Sequence, residues 1–162
     1  MLREAQECMI AFIKHIAEFE SVWVCIDPRD KDAKKFVLSS CKKEIKNGTL
    51  QILDVRSNDV WARDFAPLTI CQNNQNIKPF KLIALPFPKP IYHKKERLPA
   101  SYANFLFVNG GLLVPIYGDK KNDKKALHIL QDALPHHRVI GVPAKTLIKW
   151  HGSLHCTTMQ IY

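Results

Sequence analysis

The apolar positions of residues 4–19 recur at three- and four-residue steps: Ala5, Cys8, Met9, Phe12, Ile13, Ile16 and Phe19. That period predicts a helix with one apolar face. The pattern then changes to a continuous apolar run, Val22-Trp23-Val24-Cys25-Ile26, which predicts a buried strand ended by an Asp27-Pro28 turn. Helical spacing resumes from about residue 30 to 45, with Ala33, Phe36, Val37 and Cys41 inward, and Asn47-Gly48 stops it. Thr49 to Val55 reads as a second strand. The first third of the chain is therefore α-β-α-β.

Residues 56–67 form a polar connection, followed by a short strand, Leu68-Thr69-Ile70-Cys71, and a polar turn, Gln72 to Asn76. Lys81 to Leu85 is a strand candidate. It runs into Pro86-Phe87-Pro88-Lys89-Pro90, which the proline rings hold extended. Ala103 to Val108 is a strand, Asn109-Gly110 a hairpin signal and Leu112 to Ile116 its partner. A helix from about residue 123 to 134 and a strand over Arg138 to Val142 complete a β-β-α-β unit. Leu147 to Gln160 is apolar and rich in small residues. Between Asn76 and Lys81 one α/β pattern passes into the next without a helix. We read two parts, 1–76 and 77–162, packed as one compact domain.

Composition narrows the class. The 162 residues are 46% hydrophobic and 24% charged, as in an ordinary globular domain. A chain of this size buries roughly 70% of its unfolded surface. The apolar runs fall well short of the roughly 20 residues that cross a bilayer, and the charged N-terminus lacks a leader's apolar core. The expectation is a cytoplasmic protein with no membrane partner. Five cysteines without a C-x-x-C pair argue against a disulfide framework, and Cys8, Cys25 and Cys41 read as small core residues. The net charge of +9 comes largely from scattered lysine doublets. A nucleic-acid footprint clusters on one face with interleaved aromatics, so nucleic acid is the weakest partner class.

Two clusters could carry chemistry. In Trp61-Ala62-Arg63-Asp64 a carboxylate stands near an indole in a connection after a strand. The pair suits a planar cation, with the acid taking N–H bonds and the ring taking the flat face. Spacing alone fits better an Asp64 that pairs with Arg63 or caps a turn. The second cluster is His151-Gly152-Ser153-Leu154-His155-Cys156-Thr157-Thr158. A cysteine among small and hydroxylic residues near a glycine bend can present an exposed thiolate. The crowding of His151, His155 and Cys156 without a second cluster does not suit zinc. On a strand, His155 and Cys156 would point to opposite faces, so His155 is poorly placed as a base for Cys156.

Together these clusters resemble the agmatine deiminase and bacterial (Porphyromonas-type) peptidyl-arginine deiminase family. Asn58-Asp59-Val60-Trp61-Ala62-Arg63-Asp64-Phe65-Ala66-Pro67 is similar to its N-D-x-W-x-R-D-x-G/A-P. The run Arg97-Leu98-Pro99-Ala100-Ser101-Tyr102-Ala103-Asn104-Phe105, continuing through Asn109-Gly110-Gly111 to Gly118-Asp119, is a second match. Gly152 to Gln160 resembles the G-G-x-H-C-x-T-x-Q ending. The resemblance implies an α/β (α+β) pentein fold, here a partial α/β propeller built from ββαβ modules. It implies that Cys156 is the nucleophile and that Asp64 and Trp61 bind a small guanidinium substrate, agmatine above all, with Gly152 and His155 supporting. It implies hydrolysis of a guanidine C–N bond without metal or cofactor, in putrescine synthesis. A peptidyl-arginine substrate stays open.

Two segments of that family are missing. The G-D-D-T-D-x-H-x-D segment supplies its acid/base histidine and second aspartate, and an E-G-G segment supplies the glutamate that orients the histidine. Neither occurs here, and both would fall at the discontinuity before Lys81. His151, where the family carries a glycine, is the nearest local substitute for the base. The expectation is an internally shortened chain, inactive or weak alone, whose unclosed propeller leads to self-association. The alternative is a non-catalytic remnant that binds a partner or a guanidine.

Overall fold

The computed structural model of the chain describes residues 2–56 and 83–159. The expected strand at Leu68 to Cys71 lies outside them, as do Trp61 and Asp64.

Helix α1 (Leu2–Ala17) buries Ala5, Phe12, Ile13 and Ile16, the face its three–four spacing marks out. Strand β1 (Val22–Ile26) follows, then α2 (Lys31–Ser40), α3 (Lys42–Lys46) and β2 (Leu50–Asp54). The two strands pair in parallel, from Val22 opposite Leu50 to Ile26 opposite Asp54, so the two short helices form the crossover. Asp30 starts α2 by accepting the Ala33 N–H at 2.9 Å. The single helix expected over this stretch is broken at Cys41. Its φ of −116° and ψ of 35° are not helical, and the bend buries the residue completely. Cys41 is thus a core residue as expected, but Cys25 is not. It lies on the exposed side of β1 with Trp23, because β1 is buried on one face only.

Cys8 is partly buried. Its thiol donates to the Pro143 carbonyl at 2.6 Å, and burial pushes its pKa up to about 11. It stays a neutral donor joining α1 to a residue 135 positions along the chain.

No strand forms over residues 83–85. Instead β3 (Tyr92–His93) and β4 (Glu96–Arg97) make a two-residue hairpin that the apolar pattern does not mark. Its central residues, Lys94 and Lys95, both take positive φ, 49° and 69°. That is the backbone of a type I′ turn, which asparagine and glycine adopt at least cost.

The second unit is the expected β-β-α-β. Strands β5 (Leu106–Val108) and β6 (Gly111–Ile116) are antiparallel, α4 (Lys120–Ala133) crosses over, and β7 (Arg138–Pro143) pairs in parallel with β6. β5 is shorter than its apolar run, and residues 103–105 are loop. At the hairpin Gly110 supplies a φ of +74°. A β-carbon on Gly111 would sit 2.7 Å from the Phe19 ring, so any larger residue here would have to push that ring aside. β6 is the central strand, and Leu112, Leu113 and Val114 are fully buried.

α4 begins three residues earlier than its spacing suggests because Asp119 caps it. In its first turn Asp123 is buried, an uncommon place for a carboxylate. It accepts the Tyr102 hydroxyl at 2.6 Å, the Gly118 N–H at 2.9 Å and the Tyr117 N–H at 3.2 Å. Three donors replace the water it lost. One apolar cluster joins both units, running from Phe12 and Ile16 through Leu112 and Val114 to Leu147, Ile148 and Leu154. No helix among the described residues is long and apolar enough to cross a membrane.

Candidate functional site: a cysteine turn braced by an asparagine

After β7 the apolar residues Leu147 and Ile148 are driven into the core and wind a 3₁₀ turn, Leu147–Trp150. The chain reverses at His151, whose φ of 66° lies in the left-handed region. Gly152, Ser153 and Leu154 are buried, and Leu154 is a fully enclosed plug. It anchors a turn over residues 154–157 that brings Cys156 up to a partly exposed position.

The alternation that a strand would impose on His155 and Cys156 does not arise. Residues 153–158 form a helical turn instead, with the Thr157 N–H on the Ser153 carbonyl at 3.2 Å. The His155 side chain faces solvent, and its backbone N–H points out of the turn to Asn104. The threonine hydroxyls also fold back onto the backbone. Thr157 Oγ1 donates to the Leu154 carbonyl at 3.1 Å, and Thr158 Oγ1 to the same carbonyl at 3.0 Å. These contacts stiffen the turn and leave the sulfur to another donor.

That donor is Asn104. Its Nδ2 lies 3.2 Å from Cys156 Sγ, and its Oδ1 accepts the His155 N–H at 2.9 Å. Asn104 stands in the loop ahead of β5, and the loop is itself tied down. The Ala103 N–H bonds Ser101 Oγ at 3.2 Å, and the Asn104 N–H bonds the Ser101 carbonyl at 3.3 Å. The Tyr117 hydroxyl donates to that same carbonyl at 3.0 Å and accepts the Ser101 N–H at 3.3 Å. It also lies 3.5 Å from the buried Ser153 hydroxyl. Burial above all holds the Tyr117 phenol above its usual pKa; the bonds from Ser153 and Ser101 pull the other way, and negative charge on Cys156 or Asp123 pushes it further up. The phenol therefore remains a neutral donor. Tyr102 is raised further, by burial first and then by its bond to Asp123. A chain of contacts thus runs from Asp123 through Tyr102, Tyr117 and Ser101 to Asn104 and the sulfur.

The motif around Ser101, Tyr102 and Asn104 is matched in the sequence only as a pattern. The structure gives it a task, which spacing could not show, because Asn104 and Cys156 are 52 positions apart. His151 goes elsewhere. Its ring is half exposed, with Nε2 3.9 Å from Glu96 Oε2. It lines a cavity of about 230 Å³ with His93, Lys149 and Trp150, and Cys156 is not in that lining. His151 is thus no base for the thiol in this arrangement. Among the described residues no three His, Cys, Asp or Glu side chains converge as metal ligands.

The sequence profile of the Porphyromonas-type peptidyl-arginine deiminase family matches residues 1–77 and 70–161. The agmatine deiminase of Pseudomonas fluorescens is 35% identical over 120 residues, covering 62% of this chain and 32% of that protein. The agmatine deiminase of Pseudomonas aeruginosa is 32% identical over 127 residues, covering 66% and 34%. The solved C. jejuni agmatine deiminase is 32% identical, with a TM-score of 0.44 over 85% of this chain and 33% of that one. The chain spans about a quarter to a third of the length of the curated relatives it matches.

Proposed function

This chain belongs to the Porphyromonas-type peptidyl-arginine deiminase family, and from that premise we propose that its inherited reaction is hydrolysis of a guanidine C–N bond. Agmatine is the substrate we favour, giving N-carbamoylputrescine and ammonia on the way to putrescine in the cytoplasm. The relatives named agmatine deiminases support that choice over peptidyl-arginine.

In this reading the Cys156 thiolate attacks the guanidinium carbon. The C–N bond to a terminal nitrogen breaks, that nitrogen leaves with a proton as ammonia, and a thiouronium remains. Water adds to its carbon, the C–S bond breaks, and the thiolate returns with release of the ureido product. Asp64 would take guanidinium N–H bonds and Trp61 its flat face. Gly152 and His155 would shape the turn that presents the sulfur. The observation that carries the reading is the contrast between cysteines. Cys41 is sealed in the core, whereas Cys156 is partly exposed on a stiffened turn with an amide N–H at its sulfur.

The fold we propose is a partial pentein-like propeller, internally shortened. The two matched segments overlap at residues 70–77, close to the break between the 1–76 and 77–162 parts, which supports that view. The missing histidine, aspartate and glutamate segments bear on rate. A positioned acid/base is worth about 10²–10⁴-fold, and one carboxylate orients a cation less well than two. We expect ammonia release from agmatine no faster than that of the Cys156→Ala variant. Sustained release abolished by Cys156→Ala would show that the chain works alone and overturn the inactive reading. The second reading, a guanidine-binding remnant, is favoured by the same missing segments. It predicts that agmatine raises the unfolding temperature without turnover, and that Asp64→Ala removes the effect.

A further inference from the structure

We propose that Asn104 is a positioning residue for Cys156, aiming its side-chain N–H at the sulfur and stabilising the thiolate that the proposed hydrolysis requires. The inference rests on the reading of Cys156 as the nucleophile.

The amide could in principle face either way round, and the turn decides it. Oδ1 is taken by the His155 N–H at 2.9 Å, so the NH₂ group must face Sγ, 3.2 Å away. Flipping the amide would set a nitrogen against the His155 N–H and an oxygen against the sulfur, losing both bonds. A hydrogen bond to an anion is stronger than one to its neutral form, so this donor favours thiolate over thiol. The amide has little freedom to turn away. Its loop is held by Ser101, Ser101 by Tyr117, and Tyr117 by the core beside Asp123. A donor fixed before charge develops costs no reorganisation when it does.

The competing explanation is that Asn104 only staples the cysteine turn through Oδ1. Asn104→Asp and Asn104→Ala together separate the two. Asn104→Asp keeps the acceptor for His155 but sets a carboxylate against the sulfur, which slows a thiolate whatever the amide did. Asn104→Ala adds no charge, so a turn that was only stapled loosens and labels faster, whereas a lost donor labels slower. Iodoacetamide labelling of the full chain, with each cysteine peptide quantified by mass spectrometry, reads the result across pH. Cys25, which is exposed in the single chain, serves as internal reference with the protein kept dilute enough to be monomeric, and Cys41, which is sealed, reports loosening of the fold. No guanidine is needed, so the outcome does not depend on whether the chain binds or turns over agmatine.

Expected for Asn104→Asp is a slowing of Cys156 labelling relative to Cys25 of roughly tenfold near neutral pH. Cys41 should remain protected. Asn104→Ala should slow Cys156 in the same direction by a smaller factor. A Cys156 rate in Asn104→Ala within twofold of wild type, or faster, at every pH overturns the proposal. So does labelling of Cys41 in Asn104→Asp, which would assign Asn104 to holding the fold.

Discussion

A single backbone angle sets His151 apart from its neighbours. At φ 66° and ψ 10° it occupies the left-handed region, where a β-carbon crowds the following carbonyl at about 1–2 kcal/mol. The family resemblance puts a glycine at this position, and the geometry explains why one would serve. Little else holds the ring, because its approach to Glu96 at 3.9 Å is solvent-exposed. His151→Gly should therefore stabilise the protein by about 0.5–1 kcal/mol, after allowing for the extra freedom glycine gains on unfolding. Calorimetry should show the unfolding temperature rise by roughly 1–4 °C. His151→Ala, which keeps the β-carbon, should show no such rise; an equal gain there would place the effect in the ring. Of the candidate site, the cysteine and its turn drew notice at this scale, while Trp61 and Asp64 lie outside the described residues. Cys156 stood out by its small and hydroxylic neighbours and by its motif. Asn104 did not, because its role is a contact between two loops that local spacing cannot encode.

Among the elements, the β3–β4 hairpin is the one with the poorest local sequence for its shape. Lys94 and Lys95 both sit at positive φ, where lysine carries a steric cost and Asn-Gly carries almost none. Nothing in the structure explains the choice of two lysines. Lys94→Asn with Lys95→Gly should stabilise the hairpin, and the protein with it, by about 1–2 kcal/mol. An unfolding temperature higher by a few degrees would bear this out, and an unchanged one would mean that the hairpin frays before the core melts. The same pair shows where the sequence runs out. Asn109-Gly110 announced its hairpin, and α1, β1, β2, β6, α4 and β7 were legible from apolar period, because each buries a regular face. The Lys94-Lys95 turn carried no turn signal. The break at Cys41 was hidden because Ile45 packs on the same core as Val37, so the apolar spacing continues while the backbone does not.

At the scale of the whole molecule, the β1–β2 ribbon raises the question of what covers its outer face. Val22, Ile26 and Leu50 sink into the shared core, while Trp23, 58% exposed, and Cys25 point away from it. A continuous apolar run in a parallel strand is the usual mark of burial on both faces, and this run has one. Among the described residues the ribbon has only two strands, fewer than a sheet needs for independent stability. An indole offers 150–250 Å² of surface to a partner, on the order of several kcal/mol if fully buried. The prediction is that this face meets a second copy of the chain. Sedimentation equilibrium at tens of micromolar should give a mass above 18.6 kDa that rises with concentration. The net charge of +9 makes like copies repel, so added salt should tighten the association, the opposite of its effect on nucleic-acid binding. Trp23→Lys should return the chain to monomer and remove the concentration dependence of the unfolding temperature, melting with the wild type at dilutions where both are monomers, because the side chain leaves water only in the assembly. A well-folded monomer at every concentration would leave Trp23 as an ordinary exposed aromatic and remove self-association from the account.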